Sequence, residues 1–222
     1  MPARAQKIFV TGGTGFIGGS LIPRLLAHGH AVTALVRAAS AGRLPAGSRP
    51  VIGDVLSAES YEAEAHGADC LVHLTGVAHP NPGKAREFIE IDLASARAAI
   101  GVAVNAGVKH FVYLSVAQPA PVMGAYVEAR RRGEEMVKAS GLDATLVRPW
   151  YVLGPGRRWP YVLMPAYWLA RLLPGMRDFT ERLGFVTLEE MTVALLYAVE
   201  HPPQGVRVID VPEIRRLAAA GS

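Results

Sequence analysis

The chain has 222 residues, half of them apolar, with a formal net charge of +4 and a single cysteine. That length supports one sizeable core and excludes two large domains. The small charge, with no basic stripe interleaved with aromatics, argues against a nucleic-acid partner, and one thiol excludes an intramolecular disulfide framework.

Cys70 lies inside the apolar run DCLVHLT and reads as core; no metal-ligand spacing surrounds it. MPARAQKIFV has no apolar signal region, and no later run reaches the length of a membrane span. A cytoplasmic protein with no bound metal and no membrane partner is expected.

Strands and helices alternate. KIFVT, residues 7–11, is a short β-rich run. The glycine-rich VTGGTGFIGGS follows, and Phe16, Ile17, Leu21, Leu25 and Leu26 then recur at helical spacing as far as HGH. AVTALV at 31–36 is the next strand. RPVIGD, a helix over about 57–66, CLVHLT, a long helix over about 83–106 and HFVYLS come after it. A helix over about 122–140 leads into ATLVRP. Parallel strands need crossover helices, so this order implies an α/β fold: a doubly wound parallel sheet with helices on both faces. The last third is different. RRWPYVLMPAYWLARLLPGMR is aromatic and broken by prolines, whereas TLEEMTVALLYAVEH is a clear helix. Thr187 and Glu190 form its capping box, and Met191, Ala194, Leu195, Ala198 and Val199 share one face.

Between a strand and a helix, Gly12, Gly15 and Gly18 let the backbone turn tightly, approach a pyrophosphate and pack the helix on the sheet. The helix N-terminus adds unpaired N–H groups and a positive dipole end. A merely tight turn is the competing reading. Charge supports the phosphate: residues 1–53 hold six basic residues and no acid, the first being Asp54. The alternative is a set of arginines scattered over solvated faces.

TGGTGFIGG, GDV, CLVHLTG, FVYLS, YVEAR and LVRPWYVLGPG, in that order, resemble the short-chain dehydrogenase/reductase superfamily, in its extended and atypical branches related to nucleotide-sugar epimerases. The likeness runs from about residue 6 to 156 and recurs weakly at GFVTLEEM. It implies a Rossmann domain over residues 1–156 that binds NAD or NADP. Residues 157–222 then form a small, mostly helical substrate-side region packed as part of the same domain. The implied cofactor contacts are Gly12, Thr14, Gly15, Phe16, Ile17, Gly18, Arg37, Asp54, Val55, Leu74, Thr75, Gly76, Tyr126, Arg130, Pro149 and Val152. The implied reaction centre is Ser115, Tyr126 and the residue four after that tyrosine.

NAD binders usually place a carboxylate after the second strand for the ribose hydroxyls, and a 2′-phosphate would be repelled by it. LVRAAS has Arg37 there, with Ser40 and Arg43 near, which favours NADP. NAD is the alternative should Arg37 only stack on adenine or face solvent.

The reaction centre departs from its relatives. The family has a lysine one turn after the tyrosine, to hold the nicotinamide ribose and acidify the phenol; this chain has Arg130. Arginine keeps the charge but is bulkier and cannot join a proton relay. Slow activity, dependent on Tyr126 and raised by Arg130→Lys, is expected. Arg131 and Arg132 fit an exposed charged helix. Asp92 stands at the family's asparagine position and is expected to cap or bond locally. His73, in a buried strand, and His79, before the turn PNPG, read as structural.

Only about 70 residues follow RPWYV, too few for the larger domain that holds a nucleotide sugar in relatives. Trp150, Tyr151, Trp159, Tyr161, Tyr167 and Trp168 suit an apolar substrate instead, and residues 157–177 are expected to cover the nicotinamide end. A subunit interface or a membrane-surface helix competes with that cover, although Pro160, Pro165 and Pro174 weaken a continuous helix. The leading expectation is an NADPH-linked oxidoreductase acting on a small apolar carbonyl or alcohol, with a homo-oligomer left open. The alternatives are a weak or inactive NADP-binding sensor or assembly protein, and a sugar-nucleotide epimerase or dehydratase.

Overall fold

A computed structural model describes residues 4–78, 80–120, 122–155 and 183–220. The apolar runs become strands: β1 (Lys7–Thr11), β2 (Ala31–Val36), β3 (Arg49–Ile52), β4 (Cys70–His73), β5 (His110–Leu114), β6 (Asp143–Val147) and β9 (Val206–Ile209). They form a seven-stranded sheet in the order β3-β2-β1-β4-β5-β6-β9, and every neighbouring pair is parallel. The doubly wound α/β sheet expected from the alternation is present. Two shorter strands, β7 (Tyr151–Leu153) and β8 (Phe185–Thr187), pair in parallel as a separate ribbon.

Side chains alternate across a strand, so the sheet has two dry faces. On one, Ile8, Val10 and Val112 pack against Leu21, Ile22 and Leu25 of α1 (Gly18–Ala27), and against Met191 and Leu195 of α5 (Leu188–Glu200). α6 (Val211–Ala220) closes the same face with Ile214 and Leu217. On the other, Phe9, Leu71, Phe111 and Leu146 meet Ala96, Ala99 and Ala103 of α3 (Ala94–Asn105) and Val137 of α4 (Gly124–Ala139). Each of the larger side chains, from valine up, contributes roughly 1.5–3 kcal/mol by leaving water, and each alanine about 0.8 kcal/mol or less. The small residues of α3 bring that helix close to the sheet.

The capping box that opens α5 is made: Glu190 N–H donates to Thr187 Oγ1 at 3.1 Å, and Thr187 N–H to Glu190 Oε2 at 2.6 Å. Cys70 is buried, with its Sγ 3.6 Å from His110 Nδ1.

Three expectations change. The helix over about 57–66 is a 3₁₀ turn at Ala58–Ser60 and one α-helical turn, α2 (Glu62–Ala65). The helix over about 83–106 is composite: a 3₁₀ turn at Pro82–Lys84, a single turn at Ala85–Glu87, a π-helical segment at Phe88–Leu93, and only then α3. The last third also contributes β9 to the main sheet, beside β6.

The sheet order reverses between β1 and β4, which lead to helices on opposite faces. A crevice opens there beyond the strands' carboxyl ends, and the sequence motifs converge on it.

Candidate cofactor and active site

The loop between β1 and α1 closes tightly against the end of β4. Gly12 has φ +77°, and a Cβ there would sit 2.9 Å from the carbonyl carbon of Leu74. A Cβ on Gly18 would collide with Gly12 O and come within 2.7 Å of Gly13 Cα. α1 begins with Ile17 as its N-cap, no side-chain cap and no acid in its first turn. Gly19 and Ser20 N–H donate back to Gly15 O and Ile17 O, and no carboxylate of the first turn competes for the N–H groups before them.

Two cavities, of about 610 and 330 Å³, adjoin along Gly12, Gly15, Leu74, Gly76, Val77 and Ala78. Thr14, Arg37, Asp54, Val55 and Thr75 line the larger. Phe16, Ile17, Gly18, Ser115, Tyr126, Arg130, Pro149 and Val152 line the smaller. Every residue expected at the cofactor thus lies on one continuous cleft.

The N-terminal cations do not form one patch. Arg24 pairs with Glu189, and Arg49 Nη1 with Glu64 Oε2 at 2.7 Å. Arg43 Nη2 donates to Ser40 Oγ at 2.8 Å. Arg37 is exposed just after β2 and lines the larger cavity; its carbonyl accepts from Ser40 N–H at 2.8 Å, and its guanidinium has no hydrogen-bond or ion-pair partner among the described residues. Lys84, which the sequence did not single out, lines it too, donating to Ala78 O at 2.9 Å.

At the other end, Tyr126 projects from the first turn of α4. Its ring lies 5.1 Å from Phe88, tilted by 57°, and 5.4 Å from the Arg130 guanidinium carbon. Arg130 is only 3% exposed. Nη1 donates to Leu114 O at 2.8 Å and Nη2 to Thr75 O at 3.3 Å, while Nη2 also lies 2.5 Å from Asp92 Oδ1. Asp92 is fully buried, and its Oδ2 accepts from Val77 N–H at 2.9 Å. Burial pushes the Asp92 carboxyl above its ordinary value, against the pull of Arg130. The expectation of local bonding at Asp92 is therefore corrected: its ion pair reaches across to a residue on another helix.

Ser115 follows β5 and is buried. Its Oγ donates to Glu134 Oε1 at 2.6 Å, one helical turn beyond Arg130. Glu134 also accepts from Gln118 Nε2 at 2.8 Å and from Arg148, through Nε at 2.7 Å and Nη2 at 2.5 Å. His73 lies under the site as a strut. Its Nδ1 is 2.9 Å from Thr11 Oγ1 and its Nε2 is 3.4 Å from Ser95 Oγ, and burial holds its pKa down at about 3. Arg131 and Arg132 bind Glu128 on the exposed face of α4.

The profile of the NAD(P)H-binding family matches residues 12–164, more than half of the chain. The chain belongs to this family. Ceramide reductase of Caulobacter vibrioides is 27% identical over 219 residues, covering 94% of this NAD(P)H-binding protein and 65% of the reductase. The 3-beta-hydroxysteroid dehydrogenase of Mycolicibacterium neoaurum is 30% identical over 126 residues, covering 53% of this chain and 33% of the dehydrogenase. The chain spans less than two thirds of both. UDP-glucose 4-epimerase of Thermotoga maritima, solved with UDP-glucose, superposes with a TM-score of 0.70 at 20% identity, covering 96% of this chain and 80% of the epimerase. That likeness is one of fold: a parallel Rossmann-like sheet flanked by helices.

The cleft of this NAD(P)H-binding protein fits a dinucleotide on its own evidence. A Cβ at Gly12 or Gly18 would collide with the backbone of Leu74 or of the loop itself, so glycine lets the loop close tightly beside the cleft, and the buried Arg130 Nε–H and Asp92 Oδ1 have no hydrogen-bond partner among the described residues. Sequence reasoning missed Glu134, Arg148 and the Asp92–Arg130 pair. The only signal for Glu134 was its spacing, four residues after Arg130 on one helix face. His79 and the expected cover at 157–177, with Trp159 and Trp168, lie outside the described residues.

Proposed function

We propose that the protein is an NADPH-linked oxidoreductase that interconverts a small, mostly apolar carbonyl compound and its alcohol. The observation that carries this reading is the placement of Tyr126 and Ser115 on the wall of the smaller cavity, among Leu114, Val116, Pro149, Trp150 and Val152. Apolar walls keep water from the reacting carbon and strengthen the few polar contacts that orient the substrate. Ceramide and steroids are themselves largely apolar, so the names of the two relatives support the same substrate class.

A bound nicotinamide supplies the hydride for reduction or takes it up in oxidation. Tyr126 gives its phenolic proton to the carbonyl oxygen as the alcohol forms, and takes it back in the reverse direction. Ser115 has committed its own proton to Glu134, which leaves its oxygen to accept from an alcohol hydroxyl. Arg37, whose guanidinium has no partner among the described residues, is suited to a 2′-phosphate, which favours NADP over NAD. Gly12, Gly15 and the start of α1 cradle the pyrophosphate.

The test is a stopped-flow measurement of NADPH oxidation with a panel of medium-chain and aromatic ketones, repeated with Tyr126→Phe. Turnover that needs Tyr126 supports the assignment; turnover unchanged by Tyr126→Phe overturns it. A second reading rests on Arg130, whose donors are spent largely on the protein: an NADP-binding sensor without turnover. It is favoured if NADPH binds tightly and no ketone oxidises it.

A further inference from the structure

Two departures from the family pattern, an acid at 92 and an arginine at 130, meet in one buried contact. The family's lysine beside a neutral asparagine would bring a net charge of +1 to these positions. Arg130 with Asp92 brings none. The guanidinium donates to carbonyls of two separate segments, Leu114 O at the end of β5 and Thr75 O just after β4, and is ion-paired with Asp92 Oδ1 from the π-helical segment, an oxygen that accepts no hydrogen bond from the described residues. A planar fork reaches two carbonyls and the carboxylate at once; an ammonium is a compact point charge on a flexible stem.

The same π-helical segment supplies Phe88, four residues before Asp92, to the ring of Tyr126. Tyr126 is thus in contact with both Phe88 and the Arg130 guanidinium. Gly76 completes the arrangement, since a Cβ there would run into Arg130 Nη2 and lie 3.0 Å from Asp92 Oδ1.

We propose that Asp92 is a positioning residue that fixes Arg130 across the nicotinamide half of the cleft, so that Asp92, Arg130 and Gly76 act as one unit setting both cofactor affinity and the place of Tyr126. This rests on the functional reading above. It reverses the sequence expectation for position 130. Lysine there leaves a buried carboxylate facing too few donors, and it serves only when residue 92 is made neutral as well.

The test is NADPH titration, followed by reduced-nicotinamide fluorescence, with thermal melting of the same samples. Arg130→Lys and Asp92→Asn are each expected to weaken NADPH binding by about tenfold or more and to lower the melting temperature, since each breaks a buried pair. The double variant Asp92→Asn/Arg130→Lys is expected to return to within about threefold of the parent, the signature of coupled sites. An apolar pair of similar bulk, Asp92→Leu/Arg130→Met, is expected to stay well below the parent in affinity even where it folds, because it keeps the pair's bulk but leaves Leu114 O, Thr75 O and Val77 N–H unpaired and supplies no cation.

The proposal is overturned if Arg130→Lys alone binds NADPH as well as the parent, or if the apolar pair does. It also fails if Asp92→Asn/Arg130→Lys folds or binds no better than the single changes. These comparisons hold even where a single variant does not fold. A parent that binds neither NADPH nor NADH would instead overturn the functional reading, and the role of the pair with it.

Discussion

Ser115 gives its hydroxyl proton to Glu134, across 2.6 Å, inside a site where Glu134 is held by Arg148 through two guanidinium nitrogens. The hydroxyl direction is therefore set by a carboxylate anchored from the end of β6. Removing that carboxylate leaves a partly buried guanidinium unpaired. Glu134→Ala is expected to destabilise the fold by about 3 kcal/mol or more, at the level of a broken buried pair. Urea unfolding checks this, and a loss below about 1 kcal/mol would show that the pair is no more than a surface contact.

Exchanging Arg37 for aspartate places a carboxylate where a 2′-phosphate would lie and offers the ribose hydroxyls an acceptor. The ratio of NADPH to NADH affinity should fall by about a hundredfold, with repulsion and a lost bidentate contact both contributing. Parallel titrations with the two cofactors measure it. Equal affinities in the parent protein would count against NADP as the preferred cofactor.

Tyr126→Phe keeps the ring beside Phe88 and Arg130 and removes only the hydroxyl. Turnover should drop by roughly 10²- to 10⁴-fold, the span of a lost general acid. NADPH affinity should stay close to that of the parent. A drop in affinity as large as the drop in rate would mean that the hydroxyl holds the cofactor, not the reacting oxygen.

Two buried histidines tie stability to pH. Burial holds His73 at about 3, with Arg130 adding to the effect, and His110 at about 4, with Arg207 adding, against an ordinary value of 6.5. Above pH 6.5 both are neutral in the folded and unfolded states alike. As the pH falls below 6.5, only the unfolded chain takes up protons at these sites, so stability is lost progressively towards pH 4 and pH 3. Each histidine should cost roughly 2 kcal/mol between neutrality and pH 5. Urea midpoints at the two pH values measure the sum. His73→Gln, which cannot titrate, should remove about half of the pH-dependent loss; an unchanged pH dependence would show that His73 does not contribute.

Much of the cleft was legible because it is built from local rules. A glycine at positive φ, a strand before it and a helix after it make the tight turn whatever the rest of the chain does, and Thr187 and Glu190 cap α5 by spacing alone. The seventh strand was not legible. Val206–Ile209 is four residues long, and Val206 and Val208 are exposed, so burial left little pattern to read. The π-helical segment was hidden for a related reason: FIEIDL has a helical composition, and its widened turn is fixed by what Phe88 and Asp92 reach.

By itself the sequence determined the alternating α/β order, the glycine turn between β1 and α1, the position of Arg37 after the second strand and the tyrosine on the fourth helix. Each depends on the backbone preferences and spacing of neighbouring residues. Tertiary structure alone decided that Asp92 meets Arg130 and that Glu134 meets Ser115 and Arg148. Those partners lie 38, 19 and 14 residues apart. Only the packing of α4 against the π-helical segment and the strand ends brings their charges together in a place that excludes water, where an unpaired charge is too costly to leave.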